Sequence, residues 1–202
     1  ALETFMSGDP DTRERLVRAA AEVLWERSYQ AAGVDELCTR ANAKKGSFYH
    51  YFPSKTDLAI AAIEASWAAT KEAVFEPIAR SGKGGMDQLR ALVDEVGRVQ
   101  AATMARKGAF LGCPFGSLGQ EMAHQDARLR EALEGVFEGH RAYIRGALDL
   151  AARRGEIPPG DNRQRAENVF ALLEGALLVA KVASDPDKFR RIASEIVVIA
   201  AR

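Results

Sequence analysis

The amino-acid sequence predicts an all-α protein, on three observations. Apolar residues recur at i, i+3 and i+4 in one window after another, the period that lines them up on one helical face. No window sustains the apolar–polar alternation of a half-buried strand. Capping residues, glycines and prolines punctuate the chain at helix-length intervals, enough for about nine helices. With 202 residues, 47% hydrophobic and 28% charged, the chain can bury a sizeable core and is not disordered.

The elements follow in order. Asp11 precedes Glu14 by three residues, a helix-start pattern. Leu16, Ala19, Ala20, Val23 and Leu24 then form one stripe, so the first helix runs to about Ser28. The stretch from Tyr29 to Gly33 breaks it. A second helix covers about Val34 to Ala41, with Val34, Leu37, Cys38 and Ala41 on one face. Asn42 tolerates the left-handed backbone that ends a helix and turns the chain sharply. A third short helix spans about Lys44 to Tyr51, with Phe48, Tyr51 and Phe52 as its inward set. Two short helices across a tight corner make a helix-turn-helix pattern.

Pro53 closes the third helix, and Ser54 to Asp57 opens a fourth that runs to about Pro77. SGKGG, residues 81–85, reads as a flexible joint. A long amphipathic helix from Met86 to Arg106 follows. Gly108 to Gly119 interrupts the helices, with a short one expected over Leu118 to Met122. Further helices are expected over Asp126 to Arg154, Arg163 to Ser184 and about Asp187 to Ala201.

Lys plus Arg equals Asp plus Glu at 28 each, so net charge points to no partner. The distribution does. Between Leu37 and Thr56 lie Arg40, Lys44, Lys45 and Lys55 with no acid, and a duplex phosphate backbone is the natural partner of such a cluster. The first turn of the second helix of a helix-turn-helix meets base edges in the major groove. Lys44, Lys45 and Ser47 occupy that turn, Gly46 lets the backbone come close, and Tyr49 and His50 are available outside the inward set. Lysine can donate to guanine, and serine to bases or phosphate.

GSFYHYFPSK, preceded by lysines and a short helix, resembles the DNA-binding signature of the TetR family of bacterial transcriptional regulators. The resemblance covers about Thr12 to Ser66 and is most specific over Lys45 to Leu58. It implies phosphate contacts for Tyr49 and Lys55, and a division into a DNA-binding domain (9–53) and a ligand-binding and dimerisation domain (54–202). Many relatives carry a hydroxyl residue where this chain has Gly33, which caps adequately but supplies no hydroxyl for the phosphate contact that the resemblance implies.

The resemblance also implies a cavity for a small apolar or amphipathic effector among the later helices. Trp67, Met104, Phe110, Cys113, Phe115, Met122, Phe137, His140 and Tyr143 are the candidate lining residues. Similar glycine–cysteine loops occur in relatives that sense electrophiles, which makes a thiol trigger at Cys113 the alternative reading. Val169, Leu172, Leu173, Ala176, Leu177 and Ala180 form an apolar surface assigned to a homodimer interface.

Other classes find little support. His50, His124 and His140 lack metal-ligand spacing. Ser117 does not stand in a nucleophile elbow. Glu121, Glu131 and Glu134 read as solvated helix faces. No enzyme, metal or cofactor is therefore assigned. Two cysteines, Cys38 and Cys113, give no disulfide framework. The apolar run Ile196 to Ala201 is too short to span a bilayer, and the N-terminal stretch lacks a secretory pattern. The expectation is a cytoplasmic, ligand-released repressor bound to a palindromic operator on double-stranded DNA.

Overall fold

Asp11 begins the described part of the chain by capping its first helix, accepting the N–H of Glu14 at 2.8 Å. The computed structural model describes residues 11–201, all helix, turn or loop, with no strand among them. The secretory-signal reading and the first two residues of the expected DNA-binding domain lie outside the described residues.

Among the described residues, one compact unit comprises 11–70 together with Pro114–Val136. It contains α1 (Thr12–Glu26), α2 (Val34–Arg40), α3 (Lys45–Tyr51), α4 (Lys55–Thr70), α7 (Pro114–Met122) and the first part of α8 (Ala127–Arg153). Leu16, Val23, Phe48, Leu58, Ala62 and Leu129 are fully buried and form its centre. α1 packs on α2, α3, α4 and α7, so one apolar stripe organises the whole unit.

The second unit comprises Lys71–Cys113 and residues 137–201. It holds a π-helical turn (Lys71–Phe75), α5 (Glu76–Ala79), α6 (Gly85–Lys107), the rest of α8, α9 (Asn162–Ala183), α10 (Pro186–Ala193) and α11 (Ile196–Ala200). α9 packs on α10 and α11, and α6 packs on both of these as well. Asp161 and Asp185 cap α9 and α10. The Glu156 carboxylate accepts the N–H of Met86 at 2.9 Å in the first turn of α6. Gly85 sits so close to Ala147 and Ala151 that any Cβ there would strike their backbone.

Two expectations about element boundaries change. Helix four ends at Ala79, close to the expected stop near Pro77. It passes through the π turn into α5, where Pro77 sits in the first turn. Proline has no N–H to give the preceding turn, and a widened turn relieves that loss. α7 begins at Pro114 rather than Leu118, because a proline is well placed at a helix start. The last helix is two, α10 and α11, parted at Ser194 and Glu195. The compact units group α4 and α7 with the first three helices, a division by packing rather than by the DNA-binding and ligand-binding roles expected of 9–53 and 54–202.

Candidate nucleic-acid interface

The corner between α2 and α3 is made by Asn42, whose φ is +47°. Ala43 N–H donates to the Cys38 carbonyl at 2.9 Å, and Asn42 N–H to that of Thr39 at 3.2 Å, the paired bonds that close a helix end. Arg15 of α1 donates to the Ala41 carbonyl at 3.0 Å. The turn is therefore tied to α1 as well as capped.

α3 is pinned by Phe48, which is fully buried, and by Phe52 just beyond its end. Arg13 lies over the Phe52 ring, 5.5 Å from its centre. With those two rings inward, Lys44, Lys45, Gly46, Tyr49 and His50 are exposed and Ser47 is half-buried. Tyr49 is 52% exposed. Six of the seven expected DNA-facing positions thus share one accessible short helix and its N-cap. A Cβ at Gly46 would meet nothing within 4 Å, so nothing inside the fold calls for glycine there.

Tyr51 departs from the expected inward set. It is 39% exposed and packs edge-on against His50, ring centres 4.9 Å apart. α3 ends at Tyr51 and the chain straightens at Phe52, so Phe52 takes the place one turn beyond Phe48 and Tyr51 is left outside. A helical projection cut off at residue 51 would have found it.

The positive cluster is also less uniform than its sequence. Arg40 pairs with Glu26 and Glu36 at 3.2 and 3.3 Å, and Lys45 with Asp35 at 2.8 Å. Acids of α1 and α2, outside the acid-free stretch, come back to its bases in space. The carboxylate of Asp35 raises the pKa of Lys45, so its ammonium stays charged. Such exposed pairs contribute little and exchange readily for phosphate. Lys44 has no ion pair among the described residues.

Lys55 is a correction. Its ammonium turns inward, donating to the carbonyls of Tyr29 at 2.9 Å and Ala32 at 3.1 Å. Burial lowers its pKa, with Glu121 opposing. Both carbonyls lie in the α1–α2 connection, whose unpaired acceptors need a donor, and this use takes the lysine away from a phosphate. Glu121 is likewise no solvated face. It accepts the N–H groups of Tyr29 and Gln30 at 2.9 and 3.0 Å and the hydroxyl of Ser28.

Among the candidate effector residues, Phe137, His140 and Tyr143 meet in the second unit. Phe75 stands between His140 and Tyr143, 5.0 Å from each. Phe170 lies 5.2 Å from Phe137 and 5.8 Å from His140. Phe75 and Phe170 complete an aromatic cluster that sequence spacing did not assemble. A small apolar cavity adjoins it, lined by Phe75, Ile78, Leu89, Leu92, Tyr143 and Ile144. Phe110 packs on Phe189, and Met104 is half-buried. Trp67, Phe115 and Met122 belong to the first unit, where Phe115 and Met122 are core.

Cys113 is half-buried, following Gly112, whose peptide is held both ways by the Gln100 amide at 3.0 Å. The thiol hydrogen-bonds Glu174, whose carboxyl burial pushes above the ordinary range. A carboxyl neighbour does not favour a thiolate.

Of the proposed dimer residues, Leu172 is half-buried and the other five turn inward. Val169, Leu173, Ala176, Leu177 and Ala180 are buried within their own chain. α10 and α11 of the same protomer pack on α9, so an internal layer absorbs this apolar stripe. What α9 leaves exposed is Leu178, Val179 and Val182, the last 82% exposed, and α11 adds Val198.

A tight capped corner, a buried aromatic pin and an exposed polar helix define a helix-turn-helix transcriptional regulator. Residues 16–62 match the family profile described as bacterial regulatory proteins, tetR family, and residues 85–196 match the tetracyclin repressor-like C-terminal domain. The chain belongs to the TetR family of DNA-binding transcriptional regulators. It is 35% identical to the transcriptional regulator AcuR of Cereibacter sphaeroides over 184 residues, 89% of this chain and 82% of that protein. It is 29% identical to the repressor NemR of Escherichia coli, over 85% of each chain. The crystal structure of a regulatory protein TetR from Rhodobacter sphaeroides superposes with a TM-score of 0.82 at 32% identity, covering 93% of this chain and 98% of that one. Reduced NemR from E. coli gives 0.79 at 26%, covering 94% and 97%. No described helix is long and apolar enough to cross a membrane.

Proposed function

We propose that this protein is a cytoplasmic homodimeric repressor, released from a palindromic operator by a small apolar or amphipathic effector. The observation that carries the reading is the exposed set Lys44, Lys45, Tyr49 and His50, with the half-buried Ser47 beside them, at a helix pinned by Phe48. Lys44, Lys45 and Ser47 address base edges or phosphate at the start of α3, and Tyr49 donates its hydroxyl to a phosphate. Two-fold symmetry then demands half-sites about 34 Å apart, one turn of the duplex.

Leu178, Val179 and Val182 repeat at helical spacing on the outer face of α9 and supply the apolar centre of the dimer. The aromatic cluster of Phe75, Phe137, His140, Tyr143 and Phe170 supports an effector with apolar bulk and one polar group, which His140 or Tyr143 meets. α4 begins at Lys55, four residues after α3 ends, so a change in its tilt alters the spacing of the two reading heads. Both half-sites then cannot be engaged at once, and affinity falls.

Sedimentation of the wild type and of Val182→Asp tests the reading. The wild type is expected to sediment as a dimer that binds duplex DNA. The variant is expected to be monomeric and to lose tight binding while keeping its helical content. A dimeric variant with wild-type DNA binding would overturn the assigned interface.

A further inference from the structure

The polar links of Glu121 are more elaborate than packing requires. One carboxylate oxygen accepts the Tyr29 N–H at 2.9 Å; the other accepts the Gln30 N–H at 3.0 Å and the Ser28 hydroxyl. The Gln30 amide donates onward to Gln125 at 2.5 Å. The carbonyls of the same connection, at Tyr29 and Ala32, are taken by Lys55 from α4. Two of its N–H groups, at Tyr29 and Gln30, are therefore held by α7, and two of its carbonyls, at Tyr29 and Ala32, by α4.

The start of α4 is tied in turn to the start of α8. Thr56 donates to Asp126 at 3.1 Å and lies 3.3 Å from the Tyr29 hydroxyl, and Arg128 pairs with Asp57. Burial alone would raise the Glu121 carboxyl. Hydrogen bonds from Ser28, Gln30 and Tyr29, with the Lys55 charge nearby, outweigh it and hold the group below the ordinary range. It is an ionised acceptor, and charge-assisted bonds of this kind are the stronger ones. A connection that would otherwise hinge is held from two sides, at two of its N–H groups and two of its carbonyls.

We propose that Glu121 is a positioning residue for DNA recognition: from α7 it fixes the α1–α2 connection, and through Lys55 the start of α4, so that α3 is presented at one setting. The proposal rests on the reading of the chain as a dimeric operator-binding protein. Its consequence is spacing discrimination. Two rigidly mounted heads accept one distance between half-sites, whereas heads that can rock accept several.

The test uses the full chain and the dyad-symmetric duplex that the wild type selects from random sequence. It adds the same duplex with its centre lengthened or shortened by one and two base pairs, and a duplex holding one half-site. The wild type is expected to prefer one spacing by about tenfold or more. Glu121→Ala is expected to bind the single half-site within about twofold of wild type and to lose most of the spacing preference. Glu121→Gln, which keeps the shape but not the charged acceptor, is expected to fall between, and it carries the test if the alanine variant does not fold. An unchanged spacing profile would overturn the proposal. So would weaker half-site binding with the preference intact, the mark of a residue that only stabilises the head. A wild type that selects no symmetric duplex would sink the underlying reading instead, and that result appears before any variant is made.

Discussion

Lys55 holds Tyr29 from two directions: its ammonium donates to the Tyr29 carbonyl at 2.9 Å and lies 4.1 Å from the centre of the Tyr29 ring. A lysine used this way inside the head is not available to neutralise a phosphate. Lys44 should therefore carry the salt dependence of DNA binding and Lys55 should not. Lys44→Ala is expected to reduce the slope of log K against log salt by about 1. Lys55→Ala is expected to leave the slope alone and lower the melting temperature. Binding titrations across salt concentrations, with thermal melts beside them, check both. A reduced slope for Lys55→Ala would show that it reaches the duplex after all.

Gly46 faces open space, so the fold itself would accept a side chain there. Gly46→Ala should stabilise the free protein by about 0.5–1 kcal/mol through helix propensity. The same methyl group stands between α3 and a closely approaching duplex. Operator binding should weaken while urea unfolding shows a gain. Tight binding by the variant would remove the argument for close backbone approach.

Asn42 holds a left-handed backbone with φ of +47°. Asn42→Ala should cost about 1–2 kcal/mol, the penalty a Cβ meets in that conformation. Asn42→Gly should be close to neutral, since glycine adopts it freely. Chemical denaturation of the two variants separates them. Equal stabilities would mean that the corner does not depend on this dihedral.

Several carboxylates are held below their ordinary range. Hydrogen bonding to Arg128 does this for Asp57, the Leu129 N–H for Asp126 and the Lys188 N–H for Asp185, and Glu121 joins them against its own burial. A carboxyl depressed by folding stabilises the fold above its unfolded pKa, and that gain is lost as pH falls through the folded value. Stability should be flat near neutrality and decline below about pH 4. Melting temperature against pH should show this decline, and Glu121→Gln should make it shallower. A maximum in acid would contradict the sign.

Much of the head was legible in the sequence because its signals are local. Asp11, Asn42 and Ser54 act through backbone groups within a few residues, and the Phe48–Phe52 spacing is one helical turn. What was not legible depends on residues far apart in the chain. Lys55 and Glu121 are 66 positions apart yet serve one connection, and nothing in either flanking stretch marks them as partners. Asp35 and Glu26 lie outside the acid-free stretch and return to its bases only once α1 and α2 fold together. The apolar stripe of α9 was visible, but periodicity cannot tell a stripe that meets its own α10 and α11 from one that meets another protomer. The exposed Leu178, Val179 and Val182 emerge only after the internal layer is in place.

The account depends on α3 reading a symmetric duplex. Selection of random duplexes by the purified wild-type protein tests this most directly. The prediction is a dyad-symmetric consensus with half-sites about 34 Å apart, and Tyr49→Phe should bind that duplex about 1 kcal/mol more weakly. Enrichment of no sequence, or of a consensus without two-fold symmetry, would contradict it.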